Sequence, residues 1–186
     1  MNERILIEAL TIALQEVLGL DLTDANLNGT PDRIARMWAN EFCKNIDREF
    51  EDYSSFPNTY NYDSIIVSDT IEFVSMCSHH FLPFYGKGWV AYMPNERLVG
   101  LSKMSRAIQH YAARPQLQEN LCHQVLNNFN TYVKPKGCMV ILKAVHGCIA
   151  CRGAMQPNQK MITSAVSGVA KELSFKSEVF SLINLP

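Results

Sequence analysis

The stretch Ser64-Ile65-Ile66-Val67-Ser68-Asp69-Thr70-Ile71-Glu72-Phe73 changes the rhythm of the chain. Apolar residues recur here at every second position. Ile65, Val67, Ile71 and Phe73 fall on one face and Ser68, Thr70 and Glu72 on the other, which predicts a half-buried strand. Upstream the period is helical. Leu6, Leu10, Ala13, Leu14, Val17 and Leu18 are spaced by three and four, predicting an amphipathic helix over 3–18. A second helix is expected from Thr30-Pro31, a capping hydroxyl followed by proline at the first helical position, with Ile34, Met37, Trp38 and Phe42 as its stripe. Residues 46–62 carry no period and read as a loop.

Downstream of the Cys77–Pro83 turn a second strand is expected at about 85–93, making a hairpin with a wide connection. Helices follow at 102–112 and 116–133, separated by Arg114-Pro115. The nearly continuous apolar run Cys138–Ile149 predicts a buried strand, Met161–Val169 another, and Ser174–Ile183 a short helix. The class is therefore α+β with a mainly antiparallel sheet. It divides into an N-terminal helical region, 1–62, and a domain over 63–186.

Apolar residues make up 47% of the 186, enough for a real core, but charged residues only 19%. That is little for a chain solvating its whole surface alone, so buried subunit interfaces are expected. The net charge of −1 gives no basic field of the kind polynucleotides need. No apolar run approaches the length of a membrane span, and Met1-Asn2-Glu3-Arg4 does not begin a signal peptide, so a cytoplasmic protein is expected, with no nucleic-acid or membrane partner. In that setting the six cysteines read as thiols or metal ligands rather than disulfides.

Two segments concentrate thiol and imidazole. Cys77-Ser78-His79-His80 sits in the hairpin turn, and His146-Gly147-Cys148 is followed by Cys151-Arg152. Either alone could be a buried thiol or a solvated histidine pair. Together, on neighbouring strands, they point to a metal, because thiolate and imidazole are the ligands zinc prefers. A closed structural site could use Cys77, His80, Cys148 and Cys151. If the second segment stays extended, however, His146 and Cys148 share a face and Cys151 points away. Three ligands, Cys77, His80 and Cys148, then leave a position for water, as catalytic zinc requires, with His79 and His146 beside it as bases. Leu101-Ser102-Lys103-Met104-Ser105-Arg106 opens a helix, where free N–H groups favour phosphate. Arg152 and Arg33 are further candidate cations, although each could be an ordinary surface charge. Gln118-Glu119 pairs an amide with a carboxylate, able to read a purine or pterin edge, though such a pair on a helix is more often solvated.

The chain from about Leu20 onward resembles the GTP cyclohydrolase I family. The resemblance rests on Thr30-Pro31-Asp32-Arg33-Ile34-Ala35, Cys77-Ser78-His79-His80-Phe81 and Gly100-Leu101-Ser102-Lys103. It continues through Arg114-Pro115-Gln116-Leu117-Gln118-Glu119 and His146-Gly147-Cys148, ending at Arg152-Gly153. It implies zinc on Cys77, His80 and Cys148, catalytic roles for His79 and His146, and a ribose and triphosphate site at Arg33, Ser102, Lys103, Arg106 and Arg152. Gln118 and Glu119 would hold the base. The implied activity is conversion of GTP and water to 7,8-dihydroneopterin triphosphate and formate, the first step of pteridine biosynthesis. The implied fold is the tunnelling fold, ββααββ with two helices on one face of the sheet. The implied assembly is a homodecamer of two pentamers with active sites between subunits. Two positions depart from the family: Ser78, where an acidic residue is usual, and Cys151, where an uncharged and often apolar one is common. A non-enzymatic zinc module and a thiolate-dependent nitrile reductase are the competing readings.

Overall fold

The computed structural model describes residues 2–184. The chain runs α1 (Glu3–Ile12), α2 (Thr30–Met37), β1 (Ser55–Pro57), β2 (Ile66–Val67), β3 (Ile71–Cys77), β4 (Pro83–Met93) and β5 (Arg97–Val99). It continues α3 (Leu101–Ala112), β6 (Pro115–Gln116), α4 (Gln118–Val133), β7 (Gly137–His146), α5 (Gly147–Ala150), β8 (Lys160–Gly168) and α6 (Leu173–Ile183). The expected helices and strands are present, in an α+β arrangement. α1 and α2 each end in a wide π turn, at Ala13–Val17 and Trp38–Phe42. The cap of α2 is Gly29 in the left-handed region, not Thr30. Thr30 lies inside the helix, where its hydroxyl accepts a hydrogen bond from Arg33.

The main sheet has the order β6-β3-β4-β7-β8, with β2 also pairing β4. All its pairings are antiparallel except β3 with β6. Along β4, Val90 and Tyr92 enter the core beneath α3 and α4, whereas Ala91 packs on the opposite side under α6. β7 alternates likewise: Cys138, Val140, Leu142 and Ala144 face α3 and α4, while Met139 and Ile141 meet Phe175 and Val179. Two helices therefore cover one face, and α6 partly covers the other.

Two expectations are corrected. The segment 46–62 is not all loop: β1 pairs with β5, and Phe50 is part of the main core. The strand expected from Ser64 is also not continuous. Val67 pairs with Ala91 and Ile71 with Gly88, four steps on one strand against three on the other. This extra residue is a bulge, and because side chains alternate it reverses the face. Ile65 and Val67 accordingly pack toward α6, and Ile71 and Phe73 toward α3 and α4. At the break, Ser68 is buried, and its hydroxyl accepts from the Val90 amide at 3.0 Å.

Candidate active site

The buried end of β3 delivers Cys77, and the chain then turns sharply. The Phe81 amide donates to the Cys77 carbonyl at 2.9 Å, and the Cys77 amide to the Leu82 carbonyl at 2.9 Å. Phe81 takes φ 50°, a left-handed conformation that costs a non-glycine residue about 1–3 kcal/mol and persists only where its surroundings enforce it. Its ring packs on Trp38, centroids 5.5 Å apart, tying the turn to the helical region. This turn sets His79 and His80 outward, both exposed.

The second arm differs from expectation. β7 stops at His146, and Gly147–Ala150 turn into α5 instead of prolonging the strand. Glycine is needed there, since a Cβ on Gly147 would stand 2.8 Å from the Pro83 carbonyl oxygen. Because the backbone turns at once, the alternation argument for Cys148 against Cys151 does not apply. The same three residues nevertheless meet. Donor atoms of Cys77, His80 and Cys148 lie within 4.8 Å of one another, a set that could hold a metal ion. Cys151 is exposed and turned back, its thiol donating to the Gly147 carbonyl at 2.9 Å. Burial, and then the neighbouring Cys77 thiol, push the Cys148 thiol above its ordinary value, while Arg152 pulls it down. Two crowded sulfurs and an imidazole form the donor set of zinc sites.

His146 is held from two sides. Its ring stacks on the fully buried Phe84, centroids 4.7 Å apart and planes 2° from parallel. Its Nε2 lies 2.9 Å from Gln118 Oε1. The Gln118 amide nitrogen donates to the carbonyls of Leu142 (3.1 Å) and Met161 (3.2 Å), which can only accept, and to Thr163 Oγ1 at 3.0 Å. The amide orientation follows from those partners, so Oε1 faces His146 and Nε2 carries the hydrogen. Nδ1 is left as the exchangeable nitrogen. Burial lowers the His146 pKa, and the Glu119 carboxylate acts against that shift.

Gln118 itself is 0% exposed, with its amide engaged by His146, Leu142, Met161 and Thr163. Glu119 is exposed beside it. The cations of α3 stand elsewhere. Ser102, Lys103 and Arg106 occupy the start of the helix, whereas its far end leads into Gln116, which pairs with Cys77. Lys103 is thus about 13 Å along the helix axis from that end. Lys103 Nζ and Arg106 NH1 both donate to Asp52 Oδ2, at 2.6 and 3.2 Å. Arg33 is exposed on α2, bonded to the Asn28 carbonyl at 2.8 Å and to Thr30. One chain therefore brings together Cys77, His80, Cys148, His146 and Gln118, with Glu119 and Arg152 acting on them by charge, and sets Ser102, Lys103 and Arg106 apart. Asp52 and Phe84 carry no signal of their own in the sequence.

A thiol and imidazole cluster able to hold a metal ion lies beside an oriented histidine at one end of the main sheet, an arrangement suited to metal-assisted catalysis. Residues 7–184 match the GTP cyclohydrolase I family, and the chain belongs to it. It is 40% identical to GTP cyclohydrolase 1 of Clostridium kluyveri over 171 residues, covering 91% of this chain and 92% of that protein. The enzyme of the same name from Hydrogenobaculum sp. is 37% identical over 179 residues, covering 96% of each chain. Among solved structures, an archaeosine synthase QueF-Like protein in its apo form aligns with a TM-score of 0.44 at 17% identity, covering 56% of this chain and 94% of that one. Among the described residues no helix is long and apolar enough to cross a membrane.

Proposed function

We propose that the protein is a zinc-dependent GTP cyclohydrolase I, converting GTP and water to 7,8-dihydroneopterin triphosphate and formate at the head of pteridine biosynthesis. The observation that carries this reading is the Cys77, His80 and Cys148 cluster beside the oriented His146, in a chain of that family. Those three residues would hold the ion. Zinc bound there supplies Lewis acidity and the means to make water nucleophilic near neutral pH.

The rest of the chemistry falls to the protein's own groups. With Nε2 fixed on Gln118, His146 exchanges protons through Nδ1, the atom suited to protonating a purine nitrogen as the imidazole ring of the base opens. Exposed His79 carries protons in the later rearrangement. Ser102, Lys103, Arg106, Arg152 and Arg33 bind the ribose and triphosphate, so that binding energy far from the reacting carbon orients the base. Glu119, free at the surface, takes the guanine N–H edge. Gln118 is a positioning residue for His146, in place of the base contact that the family resemblance implies.

The assembly we propose is the tunnelling-fold decamer, with the helical region within 1–62 joined to the 63–186 domain through Phe50 and β1, and active sites between subunits in the cytoplasm. Support comes from the low charged fraction, from apolar side chains left exposed on the open sheet face (Val74, Tyr85 and Ile162), and from the α3 cations set a helix length from the cluster. Incubating zinc-loaded protein with GTP should release formate and give pterin fluorescence after oxidation, and zinc-stripped protein should do neither. GTP left intact by protein with one zinc per chain would overturn the reading.

A further inference from the structure

Resting on the assignment of Lys103 and Arg106 to the triphosphate, we propose that Asp52 is a built-in counter-anion. It holds these two cations side by side and is displaced by the phosphate of the incoming substrate. One carboxylate oxygen, Oδ2, accepts from both Lys103 Nζ and Arg106 NH1. The cations stand three apart and so share a face of α3. The Lys103 side chain is only 10% exposed, and an ammonium so enclosed needs an anion. Asp52 is its one ion-pair partner among the described residues, and likewise that of Arg106.

The carboxylate is supplied from a fixed segment. The Gly100 amide donates to the Ser54 carbonyl at 3.0 Å, Tyr53 donates to Asn128 at 2.8 Å, and Asn128 donates back to the Phe50 carbonyl at 2.9 Å. The backbone on both sides of Asp52 is therefore pinned, while the side chain remains 58% exposed and can swing aside. Two cations and one carboxylate leave a single positive charge facing solvent. A polyphosphate offers several anionic oxygens to the same donors and replaces the single carboxylate. Asp52 thus keeps Lys103 oriented, and every anion that binds must compete with it.

The sign of the effect of its removal separates this role from a structural one. The probes are inorganic triphosphate and guanosine, titrated calorimetrically at low salt into zinc-loaded wild type, Asp52→Asn, Asp52→Glu and Lys103→Met. Asp52→Asn should bind triphosphate more tightly, by roughly fivefold, the upper end for a solvent-accessible pair. Guanosine affinity should not move, Asp52→Glu should restore wild-type behaviour, and added salt should shrink the gain. Unchanged or weaker triphosphate binding by Asp52→Asn overturns the proposal while leaving the phosphate assignment intact, provided Lys103→Met binds triphosphate less well. If Lys103→Met binds it as well as wild type, the assignment fails and the proposal with it. A crystal structure of the wild type with triphosphate gives a second test that needs no variant. Asp52 Oδ2 should have left Lys103 Nζ, and an unbroken contact with triphosphate bound would refute displacement.

Discussion

Replacing Gln118 by methionine keeps most of the buried volume and removes the amide. Four groups lose a partner: His146 Nε2–H, the Leu142 and Met161 carbonyls and the Thr163 hydroxyl. Met161 and Thr163 have some access to water, and His146 is half-buried, so the fully buried Leu142 carries most of the penalty. A buried polar group stranded in this way costs about 1–3 kcal/mol. In a chain of this length each kcal/mol lowers the melting temperature by about 2–4 °C. The effect on turnover is separate. A general acid–base group contributes about 10²–10⁴-fold, and a ring freed from Gln118 but still stacked on Phe84 keeps part of that. Gln118→Met should therefore lose at least about tenfold in kcat with little change in KM, and should keep its metal. Gln118→Glu provides the internal control. As a carboxylate it keeps one oxygen on His146 but sets another, acceptor-only, against the Leu142 and Met161 carbonyls. The glutamate variant should be the less stable of the two and yet the more active. Thermal melts, metal analysis and formate release under saturating GTP measure all of this. Gln118→Met turning over within twofold of wild type, or a methionine variant more active than the glutamate one, would refute the claim that this hydrogen bond orients His146.

Cys148→Ser should lose or loosen zinc and abolish turnover, whereas Cys151→Ala should retain both, since the Cys151 thiol is turned to the Gly147 carbonyl; metal analysis decides, and zinc loss in Cys151→Ala alone would reverse the ligand assignment. Gly147→Ala should weaken metal retention without unfolding the sheet, because the added methyl meets the Pro83 carbonyl and pushes α5 off β4; a competition titration against a chelator reads the change. Stability should fall as the pH rises above about 9. The buried Cys122 thiol is pushed up to about 12 from 9.0, so between those values the unfolded chain binds fewer protons than the folded one, and that thiol alone contributes a loss of up to about 1.4 kcal/mol per pH unit. Urea titrations at pH 8 and pH 10 should show a smaller drop for Cys122→Ala than for wild type, and equal drops would exclude Cys122 as a source.

What the sequence shows and what it hides divide along a physical line. Helices α1 and α2 and strand β3 follow from periodicity, and β7 and β8 from apolar runs, because both signals are set by a local contact surface. The bulge between Val67 and Ile71 is not local. It depends on Ser68 bonding to Val90 on a neighbouring strand, and it inverts the face that simple alternation assigns to Ile65 and Val67. The same distinction runs through the site. The Cys77 and Cys148 motifs stand out as residue types, yet alternation selects Cys148 over Cys151 for a reason that α5 removes. The chain turns within one residue of His146 because Gly147 can approach Pro83, and the turn, not the strand, aims Cys148 at Cys77. Asp52 stands 51 and 54 residues from its two partners, in a segment without periodicity, and the three acceptors of Gln118 lie 24 to 45 residues away. A motif therefore names the groups able to do chemistry. The groups that fix a tautomer or hold a cation in place become visible only when strands and helices distant in sequence are laid against one another. Those are the residues whose replacement should change rate or affinity without removing a donor to the metal.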